Sequence, residues 1–275
     1  MADNTEDIRE FYDRPDNVLR EGERLERHQL ERDLTLRYFE AFLPPPGGSV
    51  LEVGAATGVY TAWLRRRGYA VTAVDFSAGL QAECRRFLEA QGLADGVTFV
   101  LADGRDLRAV AGVFDAALLM GPMYHLVLEA DRRQALDQAL GRLRPGGRLF
   151  SAWIGRFGIL GDLMRNVPGW IEERDEVQGI LAEGRDPEGY HPGSFRGYFA
   201  RPEEIAPFHQ AAGLKTLALA AVEPAIAAHD ESYNALEGEQ RRQWLDVLYQ
   251  VSQEPSLLGA SRHLLYVGEA GAGGE

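Results

Sequence analysis

One cysteine, Cys84, is present among 275 residues, which excludes an intramolecular disulfide and a thiolate cluster for zinc. Cys84 shares a helical stripe with Leu80, Phe87 and Leu88, so it reads as a small core residue rather than a nucleophile. No apolar run approaches the roughly 20 residues that span a bilayer, and the opening MADNTEDIRE has neither the basic nor the apolar part of a secretion signal. A cytoplasmic protein with no membrane partner is expected. Basic side chains are scarce as well: 29 stand against 42 acidic ones, a net charge of −13. Binding a polyanion needs a basic patch, so tRNA, rRNA and DNA are not expected as partners. The densest basic run, Arg65, Arg66 and Arg67, is explained by its place at a helix C-terminus. There is no internal repeat. The negative balance fits a soluble enzyme acting on a small molecule without identifying one, and 45% hydrophobic content suffices for a buried core.

What is present centres on LEVGAATG, residues 51–58, followed by Asp75 in VTAVDFS. Residues 49–53 form a short apolar run that suits a strand covered on both faces of a parallel sheet. Gly54 starts a tight turn, and Gly58 opens a helix over residues 59–67 whose free N–H groups face a ligand at the turn. Gly68 caps that helix, and a second strand then ends at Asp75, where a carboxylate can accept from both hydroxyls of a ribose. Such a turn with such an acid serves nicotinamide, flavin and S-adenosylmethionine pockets alike. A turn that serves only strand-to-helix packing is the plainer alternative.

Four further features narrow the choice. Glu52 lies two residues before the first glycine, ADGR occupies 102–105 after a third strand, LLMGPMYHL occupies 118–126 after a fourth, and LRPGGRLF occupies 143–150 entering a fifth. With these in order over residues 49–153, the chain resembles the class I S-adenosylmethionine-dependent methyltransferases. The resemblance implies that Glu52 and the turn Gly54, Ala55, Ala56 and Gly58 hold the methionine end of S-adenosylmethionine. It implies Asp75 for the ribose and Asp103, with Gly104 and Arg105, for the adenine. Phe76, Ser77, Met120 and Tyr12 are further expected cofactor contacts, Tyr12 covering the cofactor from the N-terminal arm. The family's G-x-G-x-G carries Ala56 in place of its central glycine, a change that a positive φ would penalise. The fold implied is α/β, a Rossmann-like doubly wound sheet of seven mostly parallel strands with the last antiparallel, plus an inserted cap or lid.

The chain divides accordingly. Residues 1–43 are expected as an N-terminal arm, mobile to about residue 17, and a helix from about 18 to 43 ended by Pro44, Pro45 and Pro46. Residues 44–153 form the cofactor-binding core, with strands near 49–53, 70–74, 97–101, 113–120 and 148–153. Asp131 and Gln134 suggest a capping box for the helix after the fourth strand, and Pro145, Gly146 and Gly147 its stop. Residues 154–200, rich in glycine, proline and aromatics, are expected as a structureless cap or lid over a substrate. The core resumes over 201–268, with a helix at 202–212, a strand at 214–222, a helical insertion near 224–259 and a final strand at 263–267. Residues 269–275 are expected as a disordered tail.

Methyl transfer from a sulfonium is an in-line displacement that needs orientation and exclusion of water, and a base only when the acceptor carries a proton. His125, beyond the fourth strand, is the candidate general base, with a role in loop structure as the alternative. Tyr124, Trp153, Arg156, His191 and Tyr198 are the candidate acceptor contacts, whereas His28, His209, His229 and His263 read as solvated or packed. GPMY replaces the Asn/Asp-Pro-Pro-aromatic pattern that the resemblance associates with nucleic-acid or amide nitrogen as acceptor. No Asp, Asn and His cluster suggests magnesium, so no metal is expected. The reading is methyl transfer to an O, N or C centre of a small molecule, giving S-adenosylhomocysteine. An NAD(P)-dependent oxidoreductase and a non-catalytic cofactor-binding scaffold stand as alternatives.

Overall fold

The computed structural model describes residues 5–185, 197–225 and 230–271. Three helices lead in: α1 (Thr5–Asp13), α2 (Pro15–Arg27) and α3 (Gln29–Phe42). The core then alternates as β1 (Ser49–Val53), α4 (Val59–Arg66), β2 (Ala70–Asp75), α5 (Ala78–Ala90), β3 (Val97–Leu101) and β4 (Phe114–Leu119). After β4 come α6 (Pro122–His125), α7 (Glu129–Leu140) and β5 (Leu143–Gly155). A cap follows, with α8 (Ile159–Asn166), a 3-10 turn (Pro168–Glu172) and α9 (Arg174–Glu183). The remainder is β6 (Phe199–Ala200), α10 (Pro202–Gln210), β7 (Leu214–Ala221), α11 (Asp230–Asn234), α12 (Gly238–Val251), α13 (Pro255–Leu258) and β8 (His263–Ala270).

The strands form one sheet in the order β3-β2-β1-β4-β5-β8-β7, with the two-residue β6 beside the end of β5. The pairings from β3 through to β5 are parallel, and β8 runs antiparallel between β5 and β7. This is the expected doubly wound sheet with its last strand antiparallel; the short β6 is an eighth strand that a two-residue pairing does not announce in sequence. Side chains alternate across the sheet. Val50, Leu118 and Phe150 therefore join the layer of Leu34, Tyr38 and Leu64, while Leu51, Leu119 and Leu149 join that of Leu107, Leu136 and Trp153. Because both faces are covered, the strands read as apolar runs.

Several local expectations are corrected. The N-terminal arm is helical and packed from residue 5 onward: α1 buries Ile8 to 3% exposure, and Pro15 starts α2 at a position that needs no N–H donor. The helix expected over 18–43 is two helices, broken at His28 (φ −107°, ψ 61°). Asp131 does not cap α7, which starts two residues earlier; its carboxylate instead meets the Arg105 guanidinium at 3.3 Å. Pro145, Gly146 and Gly147 do not stop α7, which ends at Leu140, but lie within β5 where its register with β4 shifts. The described part of the cap is helical rather than structureless. The tail is ordered as far as Ala270, because Glu269 and Ala270 pair with Lys215 and Leu214 of β7.

Candidate active site

The parallel strands end together, and their carboxyl edge is where an open α/β sheet places a ligand. The turn between β1 and α4 forms the first wall of a cleft there. Gly54 has φ +83°, and a Cβ on it would stand 3.0 Å from the Gly121 nitrogen, so this turn and the one after β4 approach as closely as backbone permits. Ala56 has φ +47°, the one positive value at a non-glycine among the described residues. The departure from the glycine pattern noted in the sequence thus falls on a left-handed residue, and its strain is carried by the fold. Gly58 admits Cys84 of α5 against its α-carbon, so the cysteine is a buried packing group facing the turn.

Asp75, at the end of β2, is 4% exposed. Its Oδ2 accepts from the Ala56 N–H at 2.9 Å and its Oδ1 from the Ser77 N–H at 3.0 Å, so one carboxylate ties two turns and keeps further lone pairs for a ligand. Burial pushes its pKa up to about 6, against those hydrogen bonds. Glu52 lies beneath the turn and outside the cleft lining, accepting from the Thr61 hydroxyl at 2.6 Å, and burial pushes it up to about 8. Asp103 and Gly104 line the cleft beyond β3. The Arg105 side chain turns back to hold the Asp103 carboxylate at 2.7 Å and does not line the cleft. Phe76 and Met120 line it; Ala55, Gly58 and Ser77 stand behind the surface.

Two cleft features come from α1. Ile8 projects into the lining, and the Tyr12 hydroxyl lies 3.1 Å from His125 Nε2, with the rings edge to face at 5.2 Å. The helix is fixed by Asp13, whose Oδ1 accepts from the Ser77 hydroxyl at 2.5 Å and the Gly79 N–H at 3.0 Å at the start of α5. Ser77 itself caps α5 by accepting from the Leu80 N–H. On the opposite side Tyr124 donates to the Met120 carbonyl at 2.8 Å, and its ring packs on His125 at 4.6 Å. Sequence reasoning missed Ile8 and Glu21 in this lining, since a single apolar or acidic residue on a charged helix carries no local signal, and it read Leu80 only as part of the core stripe of its helix.

A second cavity, of about 1000 Å³, opens beyond the first and shares Tyr12, Glu21 and Tyr124 with it. It is bounded by α2, α8, the end of β5 and the segments around Glu223, Asp230 and His263. His28 and His263 belong to it, contrary to their reading as merely packed or solvated. Trp153 does not floor it. That side chain is 2% exposed on the far layer of the sheet, donating to the Ser151 hydroxyl at 2.9 Å. Arg156 is 3% exposed and fastens the cap to the sheet, donating to the carbonyls of Phe199 and Ala182 and pairing with Glu204. Tyr198 donates its hydroxyl to Glu204 at 2.6 Å and lies under Arg132; only its backbone N–H, on the Tyr124 carbonyl at 2.8 Å, touches the cleft-forming loop. His191 lies outside the described residues.

These residues can accommodate S-adenosylmethionine: a buried carboxylate with spare acceptor sites after β2, a backbone turn free of bulk after β1, and an apolar slot between Ile8, Val53 and Leu80. Comparison with known proteins agrees. The family described as a methyltransferase domain matches residues 50–147. The chain is 35% identical over 144 residues to a demethylmenaquinone methyltransferase of Clavibacter sepedonicus, covering 52% of this chain and 54% of that protein. It is 32% identical over 146 residues to a ribosomal RNA small subunit methyltransferase C of Chromohalobacter salexigens, covering 51% and 39%. These matches span about half, or less, of the relatives' length. A carboxy-S-adenosyl-L-methionine synthase of Aliivibrio salmonicida is 30% identical over 179 residues, 58% of this chain and 72% of that one. A solved SAM-dependent methyltransferase from Methanosarcina mazei shares the fold, with TM-score 0.56 at 14% identity over 85% of this chain and 97% of that one. In place of the nicotinamide alternative, the chain belongs to the class I S-adenosylmethionine-dependent methyltransferase family.

Proposed function

We propose that this chain transfers the methyl group of S-adenosylmethionine to an O, N or C centre of a small molecule held in the second cavity, releasing S-adenosylhomocysteine. The observation that carries the reading is the shared wall: Tyr12, Glu21 and Tyr124 face both the cleft and the cavity. When bound, the cofactor supplies an electrophilic methyl group on a sulfonium. The chain's own part is to hold, orient and keep water out. The turn Gly54 to Ala56 would lie along the methionine end, Asp75 would accept from the ribose hydroxyls, and Asp103 and Gly104 would border the adenine, with Phe76 and Met120 as apolar contacts. Glu52 would act from beneath, through the turn it supports. Ile8 and Tyr12 roof the cleft and lower the local dielectric, which strengthens every charge interaction inside.

His125 is the group we assign to the acceptor's proton. Its Nε2 lies 3.1 Å from the hydroxyl of Tyr12, a residue that also lines the cavity, so a proton leaving an acceptor would reach the imidazole directly or by way of the phenol oxygen. The negative net charge favours a small acceptor over a nucleic acid. Calorimetry with S-adenosylhomocysteine tests the cofactor, and the absence of binding at millimolar ligand would refute the reading. For the base, His125→Ala is expected to lower kcat by about a hundredfold while leaving cofactor affinity within about twofold. An unchanged kcat would remove His125 from the chemistry.

A further inference from the structure

The lining of the second cavity holds a cluster of charged groups that the proposed methyl transfer does not use. β8 begins with His263 opposite Ile154 of β5, and Glu223 follows the end of β7, so both stand on the same carboxyl edge as Asp75. Glu223 is 6% exposed. Its Oε2 meets His263 Nδ1 at 2.6 Å, and its Oε1 meets the Arg262 guanidinium and His28 Nδ1, the latter at 3.3 Å. Asp230 Oδ2 meets His28 Nδ1 at 3.1 Å and Arg262 Nη2 at 3.0 Å. Each carboxylate of this floor is thus held by cations. Both imidazoles are fixed through Nδ1, and neither Nε2 has a hydrogen-bond partner among the described residues. His28, Glu223 and Asp230 have the donor types and closeness of a metal site, but the guanidinium of Arg262 sits between the two carboxylates as their cation.

The two carboxylates keep His28 protonated, raising it to about 9. Its Nε2 is then an N–H donor. The lining as a whole carries five arginines and this histidine against five carboxylates, in a chain of net charge −13. Arg20 and Arg165, also in the lining, make no side-chain hydrogen bond or ion pair among the described residues. The rest of the wall has aromatic and aliphatic members: Phe11, Ile154 and Ile159, with the shared Tyr12 and Tyr124.

We propose that the acceptor is an amphipathic small acid whose aromatic ring, bearing the reacting atom, lies against Tyr12 and Tyr124 and whose carboxylate is received by His28, with Arg20 and Arg165 adding attraction. This rests on the cavity's reading as the acceptor site. A carboxylate accepts the imidazolium N–H and balances the excess of cations; an ester of the same shape does neither. A cationic amine would find four of the five carboxylates, Glu21, Asp162, Glu223 and Asp230, already paired.

The test is calorimetry on the full chain saturated with S-adenosylhomocysteine. The probes are para-hydroxyphenylacetate, para-hydroxyphenylpropanoate and para-hydroxyphenylbutanoate, each beside its methyl ester. At least one acid is expected to bind about tenfold more tightly than its ester, the worth of one charge-assisted hydrogen bond. His28→Gln should reduce that preference about fivefold with S-adenosylhomocysteine affinity unchanged. Arg165→Ala, which removes an exposed side chain without a partner among the described residues, should weaken acid binding and leave the ester alone, and it keeps the test open should His28→Gln not fold. Equal binding of acids and esters, binding by none of the six, or a preference that survives both substitutions would overturn the proposal. If S-adenosylhomocysteine itself does not bind, the cofactor reading falls and this proposal with it.

Discussion

Ala56 shows how one residue can carry both strain and function. Its left-handed φ of +47° turns the backbone N–H onto Asp75 Oδ2, and an L-residue held there costs about 1–2 kcal/mol. Ala56→Gly is expected to stabilise the chain by about 1 kcal/mol, because relief of strain outweighs the added freedom of the unfolded chain. Thermal unfolding should show a rise of about 2–4 °C; a fall would mean that the alanine methyl is packed rather than strained. The alanine was legible as a departure from a glycine pattern, but not its φ, which the path between β1 and α4 determines. Asp75, Asp103 and Tyr124 were legible as residues of the carboxyl edge for a different reason: Asp75 ends β2, and Asp103 and Tyr124 follow β3 and β4, so fixing the strands fixes the edge on which they stand. Trp153 and Arg156 also lie at a strand end yet serve the core and the cap, since alternation along β5 decides which layer each side chain enters.

At the scale of elements, α1 is the least legible and among the most consequential. Nine residues of polar sequence have no independent helical stability in water. What holds the helix is tertiary: Ile8 in the cleft lining, Tyr12 on His125 and Asp13 on the first turn of α5. Asp13→Ala removes the last of these and should loosen α1 by about 1 kcal/mol, the usual worth of a cap. Amide exchange over residues 5–13 should accelerate about fivefold while β1 and β4 keep their protection. Uniform acceleration along the chain would indicate that α1 opens only with global unfolding. The sheet needed no such help, because its strands are buried on both faces and its helices amphipathic. The β5 bulge at Pro145 to Gly147 and the break at His28 depend on register and packing that periodicity does not encode.

For the whole molecule, buried ionisable groups shape stability against pH. The Glu52 carboxyl is pushed up to about 8 by burial, so the folded state holds its proton more firmly than an unfolded chain, where glutamate titrates near ~4.3. His28 is raised to about 9 by Asp230 and Glu223, from an unfolded value of ~6.5. For a raised group the favourable contribution is complete below the unfolded pKa and disappears as pH climbs through the folded one. Both groups therefore predict declining stability with rising pH, Glu52 from about 4 to 8 and His28 from about 6.5 to 9. Urea unfolding midpoints between pH 6 and 9 should fall for the parent chain and fall less steeply for Glu52→Gln. An identical slope in that variant would show that Glu52 titrates as in water. The polar floor around Glu223 was invisible in sequence for a reason of scale: its members come from four separated stretches near residues 28, 223, 230 and 262, joined only when β7 and β8 meet the break between α2 and α3.

The roof formed by α1 has a kinetic consequence. Because Tyr12 belongs to both chambers, a helix seated on loaded cofactor also finishes the wall against which the second molecule must rest. On the proposed function, entry is then expected to be sequential, with S-adenosylmethionine first on and S-adenosylhomocysteine last off. In initial-rate measurements, S-adenosylhomocysteine should compete with S-adenosylmethionine and inhibit noncompetitively toward the acceptor, and a methylated product should not compete with S-adenosylmethionine.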